Sequence, residues 1–326
     1  MSNIEVVLYE EKYRAQWDAF VLGSNNGTMF HLQSFFDYHA PGKFHFHHLL
    51  FFREGRLIAV LPGGITSPGV YESPVGASYG NFVLHELSFA NCLELVDAFM
   101  GYCAANGISD VSLTAAPIIY QKKLSQDIDY ALLWRGFHYD CHYISSVIDM
   151  REYDNDVLRN FDKTTRRTVR KIQREGALRI EHNEDYASFY PILLKNKQKH
   201  NVKPTHSFED LIRLNELLPG RLHLFNAYLD DTPIAGSLNF VANERTLLVF
   251  YNMLLYEYDE YRPIYLLMHQ VVRWAREHGF DYVDIGVSQD TKAANPMTPS
   301  MSLIEFKERF DSRCILRSTL RKRISV

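Results

Sequence analysis

Residues 48–62 read HLLFFREGRLIAVLP, and residues 222–238 read LHLFNAYLDDTPIAGSL. In each stretch apolar residues alternate with others on both sides of a short polar turn, Glu54-Gly55 in the first and Asp230-Asp231 in the second. Alternation with a period of two on both sides of a turn is typical of a β-hairpin. The sequence therefore predicts two similar hairpins, one in each half of the chain.

The elements that follow each hairpin also match between the two halves. Each half has an amphipathic helix that ends at a glycine and precedes a strand: residues 92–106, Gly107 and 110–114 in one, and residues 265–278, Gly279 and 281–285 in the other. Glycine suits a helix C-terminus because it adopts a left-handed conformation without a steric penalty. Residues 136–148 and 310–319 then read as closing strands. The matched pairs Ala59/Ala235, Gly107/Gly279 and Phe137/Phe310 are separated by 176, 172 and 173 residues.

We interpret this pattern as an internal duplication. The chain has 326 residues, which is more than one hydrophobic core usually holds. We expect two domains, residues 1–150 and 151–326. A strand–helix–strand step favours a right-handed crossover and locally parallel strands, whereas the hairpins and closing strands are antiparallel. The predicted fold class is therefore α/β (α+β), with a mixed sheet in each domain.

The net charge of −4 conceals two basic segments. Residues 162–179 carry seven basic and two acidic side chains, and residues 305–326 carry seven and three. Both segments fall in the second half of the chain. We expect them to lie close together and to line one cationic cleft.

The sequence lacks the signals that are typical of several classes of protein. The first ten residues do not resemble a secretory signal, and no apolar run approaches the roughly 18–20 residues of a membrane span. The four cysteines have no paired spacing, which favours reduced thiols in a cytoplasmic protein. His45 and His47 would share one strand face, but no cysteine or carboxylate stands nearby in sequence, so no metal site is expected. No Gly-x-Ser-x-Gly motif supports a serine hydrolase.

Further motifs occur in a fixed order along the chain. They are SPVGASYG at 73–80, LWRGF at 133–137, RRTVRKIQREG at 166–176, YVDIG at 282–286 and LIEFKERF at 303–310. Together with the doubled order of elements, they resemble the tandem form of the GNAT acyltransferase fold, and more narrowly the FemABX-like and BioF2-like group. The resemblance implies two GNAT-like domains, with the site in or beside the second and the first either structural or a wall of the acceptor site.

The resemblance implies an N-acyltransferase in which an amine attacks an activated acyl carbonyl directly, without a covalent enzyme intermediate. The acceptor would be an amine on a sugar, amino acid or peptide precursor, including a cell-wall precursor. One alternative is a FemABX-type peptidyltransferase that uses aminoacyl-tRNA, and another is a non-catalytic relative that binds a ligand. In this fold the oxyanion donor is usually a backbone N–H on the strand before the crossover helix, here residues 248–253.

The donor remains open between acyl-CoA and aminoacyl-tRNA. GNAT enzymes that use acetyl-CoA carry a glycine-containing loop at the N-terminus of the central helix, where backbone N–H groups hold the pyrophosphate. The corresponding residues, 87–92 and 259–264, contain no glycine. Arg262 would supply one positive charge there. The helical arm of typical peptidoglycan-forming members is also missing from the sequence pattern.

One predicted helix carries six basic residues on one face: Lys163, Arg166, Arg167, Arg170, Lys171 and Arg174. Guanidinium groups pair well with phosphate, so we predict that Arg166, Arg167 and Arg170 bind the phosphates of a donor. The alternative is a solvated helix face.

The remaining candidates lie near the end of the crossover strand and in the closing segment. We predict Asp284 as a base or a backbone anchor, with Ser288 beside it at the strand end, where open α/β sheets place their sites. Lys307 and Arg309 would share one face of an edge strand, where Lys307 contacts substrate or stabilises charge. Tyr251 and, in the first domain, Tyr79 are candidate acids or substrate-orienting groups, or packing residues.

Overall fold

The computed structural model describes residues 4–199 and 201–324, and the chain forms two compact units. The first contains the described residues up to Tyr143 and those from Leu316 onward, and the second is Ile144–Ile315. The expected domains, 1–150 and 151–326, differ from these units at the C-terminal end. The reason is that the last strand pairs with a strand of the first unit, Thr319 opposite Thr114.

The first unit begins with two helices and a hairpin. Its helices are α1 (Arg14–Gly23), α2 (Gln33–Phe36), α3 (Phe89–Ala105) and α4 (Asp127–Trp134). Its strands are β1 (Ile4–Leu8), β2 (Leu49–Arg53), β3 (Arg56–Leu61), β4 (Gly64–Ser67), β5 (Val70–Ser73), β6 (Val83–Leu84) and β7 (Asp110–Thr114), with parts of β8 (His138–Asp149) and of the last strand, which follows below.

The strands of the first unit form two sheets rather than the one predicted. One sheet has the order β1-β2-β3-β6, and the other contains β4, β5 and β7 in that order with the last strand beside β7. The strands β5 and β7 are parallel, as the predicted crossover requires. The helix α3 packs its apolar residues, Leu95 and Phe99 among them, into a core with Phe51, Tyr71 and Val111.

The second unit repeats the crossover with a larger sheet. Its helices are α5 (Lys163–Glu175), α6 (Tyr186–Lys199), α7 (Phe208–Leu217), α8 (Pro263–Glu277) and α9 (Met301–Glu308). Its strands are β9 (Leu178–Asn183), β10 (Leu222–Leu229), β11 (Thr232–Val241), β12 (Thr246–Leu254) and β13 (Tyr282–Val287), and the last strand is β14 (Arg313–Arg323). The order in the sheet is β8-β13-β12-β11-β10-β9. The fold class is mixed α/β, as predicted.

The parallel strands β12 and β13 stay together only briefly. Their register covers three residue pairs, of which the last is Leu248 with Asp284. On its other side β12 carries a bulge, because Leu238 faces Tyr251 and Asn239 faces Val249, which leaves Phe250 as the extra residue. A bulge bends a strand and increases its twist. The two strands therefore diverge beyond Leu248, and the opening between them becomes available to side chains of α8 and α9.

The local signals in the sequence explain most of these elements. Both predicted hairpins form, and both predicted helix-ending glycines lie at positive φ, 69° at Gly107 and 79° at Gly279. The basic helix α5 begins after Asp162, whose side chain accepts a hydrogen bond from the N–H of Thr165, and ends at Gly176. A side-chain cap and a left-handed glycine satisfy backbone groups that a helix leaves unpaired at its ends.

The predicted closing strand is wrong at its start. Residues 301–308 form the helix α9, and β14 begins only at Arg313. The buried positions Ile304, Lys307 and Phe310 recur every three residues, which is a helical spacing rather than a strand alternation. Lys307 and Arg309 are therefore not neighbours on one strand face.

Among residues 4–199 and 201–324, no helix combines the length and the apolar character needed to cross a membrane.

Candidate functional site

A cavity of about 530 Å³ opens in the second unit where β12 and β13 diverge. Val249, Phe250 and Asn252 of β12 and Ile285 of β13 line it. The first turn of α8 and the helix α9 complete the wall, with Ile264, Tyr265, Ser302, Leu303 and Phe306. The charged residues of the wall are Asp259, Arg262, Lys307 and Arg309. Three cations and one carboxylate give this largely apolar cavity a positive character.

Lys307 is the most buried charge of the cavity wall, with 5% of its surface exposed. Its Nζ donates hydrogen bonds to the carbonyl oxygens of Gly286 at 2.8 Å and Val287 at 3.0 Å, and to the Oγ of Ser288 at 2.9 Å. Burial lowers the pKa of Lys307 to about 8, and the charge of Asp284 opposes that shift. The ammonium thus fastens α9 to the end of β13 while its charge stays beside the cavity.

Asp284 lies inside the sheet and is fully buried. Its Oδ1 accepts hydrogen bonds from the Oγ of Ser145 at 2.6 Å and from the N–H of Gly286 at 2.8 Å. Ser288 is also fully buried, and its Oγ lies 3.4 Å from the Oγ of Ser146. The structure therefore brings Asp284, Ser288 and Lys307 into one network that anchors the strand end, and of these three Lys307 also lines the cavity.

Arg309 and Arg262 bring guanidinium groups to the cavity wall from opposite elements. The Nη1 of Arg309, just after α9, donates to the hydroxyl of Tyr265 at 2.9 Å. Arg262 precedes Pro263 at the start of α8 with φ at 53°, and its Nη1 lies 3.4 Å from Asp259 Oδ2. Pro263 itself is the first residue of α8.

Arg262 also lines a second groove of about 510 Å³, on the side towards α5. Thr168, Lys171 and Glu175 of α5 form the facing wall, and Lys171 lies 3.7 Å from Glu175. Of the basic residues of α5, Lys171 is therefore the one that shares a groove with Arg262. The phosphate-binding set predicted from the sequence omitted it.

The rest of the basic face of α5 points to solvent. Its buried side consists of Thr165, Val169 and Ile172, which lie opposite Arg167 and Arg170 on the helix. Arg167 and Arg170 are exposed, and neither forms an ion pair or hydrogen bond with the described residues. Arg166 is half-buried and donates from Nη1 to the carbonyl of Arg159 at 2.7 Å. The start of α5 reaches α9, because the N–H of Asp162 donates to the carbonyl oxygen of Arg309 at 2.9 Å.

Tyr251 and Tyr79 do not reach this cavity. Tyr251 points to the other side of β12, where its hydroxyl lies 3.1 Å from His206 Nδ1 and 3.2 Å from the N–H of Thr205, and burial raises its pKa. Tyr79 is buried in the first unit, where its ring packs edge-on against Phe30 and the guanidinium of Arg317 lies 5.2 Å from its centre. Neither lines the cavity, and the roles predicted for them stay predictions.

The C-terminal basic run does not join the second unit. Arg321 forms an ion pair with Asp110 at 2.7 Å, and Lys322 donates to the carbonyl of Arg135, all within the first unit. The residues after Ile315 thus belong to a different unit from α5, and the single cleft lined by both basic segments stays a prediction. Sequence analysis also missed Asn252, Tyr265 and Phe306, for which only their nearness to the predicted strand and helix ends could have been a signal.

In the part of the chain that the structure describes, no group of three or more histidine, cysteine, aspartate or glutamate side chains could hold a metal ion.

The chain was compared with known proteins by sequence and by structure. Residues 159–294 match the family profile of the acetyltransferase (GNAT) domain, and no curated protein matches the chain by sequence. The structure is similar to that of FemX, with 14% identity, a TM-score of 0.70 and coverage of 97% of this chain and 96% of that one.

Two further solved structures show the same doubled fold over nearly the whole chain. One is L-PGS from Bacillus licheniformis, with 11% identity, a TM-score of 0.61 and coverage of 96% and 92%. The other is a tandem GNAT protein from the clavulanic acid biosynthesis pathway, with 9% identity, a TM-score of 0.56 and coverage of 99% of both chains. The chain therefore has the tandem GNAT fold, and residues 159–294 in its second unit match the acetyltransferase (GNAT) domain.

Proposed function

We propose that the second unit transfers an acyl or aminoacyl group from an activated, phosphate-bearing donor to an amine, by direct attack on the acyl carbonyl. The observation that carries this proposal is the cavity between the diverging strands β12 and β13, with three cations in its wall. Acyl transfer needs the two reactants held together and donors for the developing oxyanion. A cavity beside a strand that no longer pairs with its neighbour supplies a place to hold the reactants and backbone donors for the oxyanion.

The main chain of β12 is the proposed oxyanion donor. Beyond Leu248 this strand no longer pairs with β13 within the described residues, so N–H groups on that edge are available to a bound carbonyl. No side chain is required for this role. The resemblance implies the same role for residues 248–253.

Lys307 supplies charge and position. Because its three hydrogen bonds go to residues 286–288, the ammonium stabilises negative charge at the reacting centre through its field and holds α9 in place. Asp284 in turn holds the N–H of Gly286 and, through its charge, favours the ammonium form of Lys307. In this proposal Asp284 is a positioning residue and not the base.

Arg262 and Lys171 would bind the phosphate of the donor where the groove meets the cavity. The start of α8 is a poor pyrophosphate cradle for acyl-CoA, because Pro263 has no N–H and the N–H of Tyr265 already donates to Arg262 at 3.1 Å. Of the first three helical residues, only Ile264 could offer an amide. Side-chain cations, rather than a glycine loop, therefore have to hold the anion.

Aminoacyl-tRNA is the second candidate donor, and the exposed face of α5 favours it. Lys163, Arg167, Arg170 and Arg174 make no ion pair or hydrogen bond with other described residues, and like charges on one face repel unless an anion meets them. A polyanion that lies along α5 would relieve this repulsion, and the acyl end would enter the cavity beside Arg262. The non-catalytic alternative, a relative that only binds a ligand, would keep the binding without turnover.

Thermal unfolding with acetyl-CoA, a longer acyl-CoA and a charged tRNA distinguishes these donors. A ligand at about 100 times its Kd stabilises the folded state by roughly 2.7 kcal/mol. The double variant R167Q/R170Q should weaken tRNA binding and flatten its salt dependence, whereas R213Q, on the exposed face of α7, is the matched control. Stabilisation by acyl-CoA alone, unchanged in the double variant, would exclude tRNA. Binding without any transfer to an amine would leave the non-catalytic alternative.

A further inference from the structure

The first unit has a polar pocket of about 330 Å³ that the proposed transfer in the second unit does not use. It lies at the ends of the parallel strands β5 and β7 and is completed by residues of β8 and β14. Tyr71, Val111 and Leu113 point from these strands into the core with α3. Because side chains alternate along a strand, Glu72, Ser112 and Thr114 point to the opposite face, where the pocket is.

Arg317 is the cation of this pocket, and its guanidinium is held in place. Its Nη2 donates to the carbonyl of Ser78 at 2.6 Å, and the group lies 5.2 Å from the centre of the Tyr79 ring. Its Nε is buried without a hydrogen-bond partner among the described residues. The neighbouring Arg321 is occupied by Asp110, with hydrogen bonds of 2.9 and 2.7 Å. Arg317 therefore remains for an anionic group in the pocket.

Two carboxylates, Glu72 and Asp140, line the same pocket. Neither forms an ion pair or a hydrogen bond with the residues that the structure describes, although both act on Arg321 through their charge. Between strands β7 and β14 the hydroxyls of Thr114 and Thr319 lie 2.8 Å apart and add neutral hydrogen-bonding groups to the wall. One fixed cation and two unpaired carboxylates thus face one small volume.

We propose that this pocket binds a small zwitterion, with a primary ammonium between Glu72 and Asp140 and a carboxylate at Arg317. A ligand with only anionic groups would meet two like charges, and one with only an ammonium would leave Arg317 without a partner. A ligand that carries both an ammonium and a carboxylate satisfies both requirements, as an amino acid or a dipeptide does. The volume suits a molecule of that size.

The proposal stands apart from the transfer proposed for the second unit, and it makes no statement about which molecule is acylated. It assigns a binding site to the first unit, which the sequence left as a structural domain or a wall.

Calorimetric titration of the full chain tests the site. The probes are L-alanine and L-alanyl-L-alanine, with propionate and ethylamine as the two half-ligands. We expect at least one zwitterion to bind at least tenfold more tightly than either half-ligand. R317Q and E72Q should each weaken that binding at least tenfold, whereas R313Q, on the same strand as Arg317 but outside the pocket, should not change it.

Three results would overturn the proposal: no binding of either zwitterion, equal binding of propionate, or zwitterion binding that is unaffected by both R317Q and E72Q. If R317Q fails to fold, E72Q and D140N decide the question, because neither carboxylate makes an ion pair or hydrogen bond with the described residues. Loss of acyl transfer does not enter this test, so its outcome is independent of the function proposed for the second unit.

Discussion

Lys307 and Asp284 are joined through a single residue, Gly286. The Nζ of Lys307 donates to the carbonyl oxygen of Gly286 at 2.8 Å, and the N–H of Gly286 donates to Asp284 Oδ1 at 2.8 Å. A buried cation and a buried anion thus hold the same glycine from its two sides, at the point where β13 ends. The proposed transfer therefore depends on two charged residues that both hold the end of β13 in place.

The first prediction concerns the charge of Lys307. Its pKa is lowered to about 8, so the ammonium is half lost at pH 8, predominates below that pH and becomes a minor form above it. If its field stabilises the oxyanion, the acyl-transfer rate of the wild type should fall above about pH 8 relative to that of K307R, since a guanidinium keeps its charge. K307M should lose roughly 10²-fold or more in kcat at pH 7. A constant ratio of wild type to K307R between pH 7 and 9.5 would contradict this role.

The second prediction concerns the support that Asp284 gives to Lys307. D284N removes a charge that favours the ammonium, so the alkaline fall in rate should move to lower pH. It should also cost about 1–3 kcal/mol in the free energy of unfolding, because it disturbs fully buried hydrogen bonds. The control is D281N, at the start of the same strand, which loses a partly exposed ion pair with Arg245 and should cost at most about 1 kcal/mol. An identical pH profile in D284N and D281N would refute the coupling.

The third prediction separates strain from charge at Arg262. Its φ of 53° is left-handed, a region that costs a residue with a Cβ roughly 1–2 kcal/mol relative to glycine. R262G should therefore raise the free energy of unfolding by about 1 kcal/mol and yet weaken binding of the acyl donor. R262A should weaken donor binding equally without that gain in stability. Chemical denaturation and donor titration of both variants measure the two effects, and equal stability of R262A and R262G would show that the backbone carries no strain.

The fourth prediction is a loss of stability in mild acid, caused by His31 and His48. Burial lowers the pKa of each to about 3, and each Nδ1 accepts a backbone N–H, from Thr28 and from Gly63, at 3.0 Å. The unfolded chain binds these protons near pH 6.5 and the folded protein does not. Their stabilisation is therefore complete above pH 6.5 and falls below it, by roughly 1.4 kcal/mol per pH unit for each histidine.

Urea unfolding between pH 7 and 5 measures this loss. In H48Q the slope of the free energy of unfolding against pH should decrease by the contribution of one histidine. The reason is that glutamine offers a hydrogen-bond acceptor that does not titrate. H45Q, at an exposed histidine of the same segment, is the control and should keep the wild-type slope. Equal slopes in all three proteins would contradict the prediction.

The sequence predicted those parts of the fold that depend on local patterns. Hairpins show in alternation, and the ends of α3 and α8 show in Gly107 and Gly279, because the physical cause of each lies within a few residues. The match between the two halves then followed from spacing alone.

The sequence predicted candidate residues for the site but not their geometry. Lys307 was expected on a strand, because a lysine is an unusual residue for a buried helix position. Its burial is tolerable only because its Nζ has acceptors 19 to 21 residues away. Tyr251 lies away from the cavity because the bulge at Phe250 changes which residues of β12 face it. The split of the first unit into two sheets and the return of β14 to that unit depend on long-range pairing, which no local pattern records.

The early separation of β12 from β13 has a consequence for how this protein can be altered. The groups proposed to act on the carbonyl are peptide amides, and every substitution except proline leaves their N–H groups in place. An alanine scan of β12 would therefore report on packing and not on the chemistry. A change in the backbone itself removes an N–H without the constraint of a proline ring, such as an α-hydroxy acid in place of Phe250, which exchanges one N–H for an ester oxygen and keeps the phenyl ring.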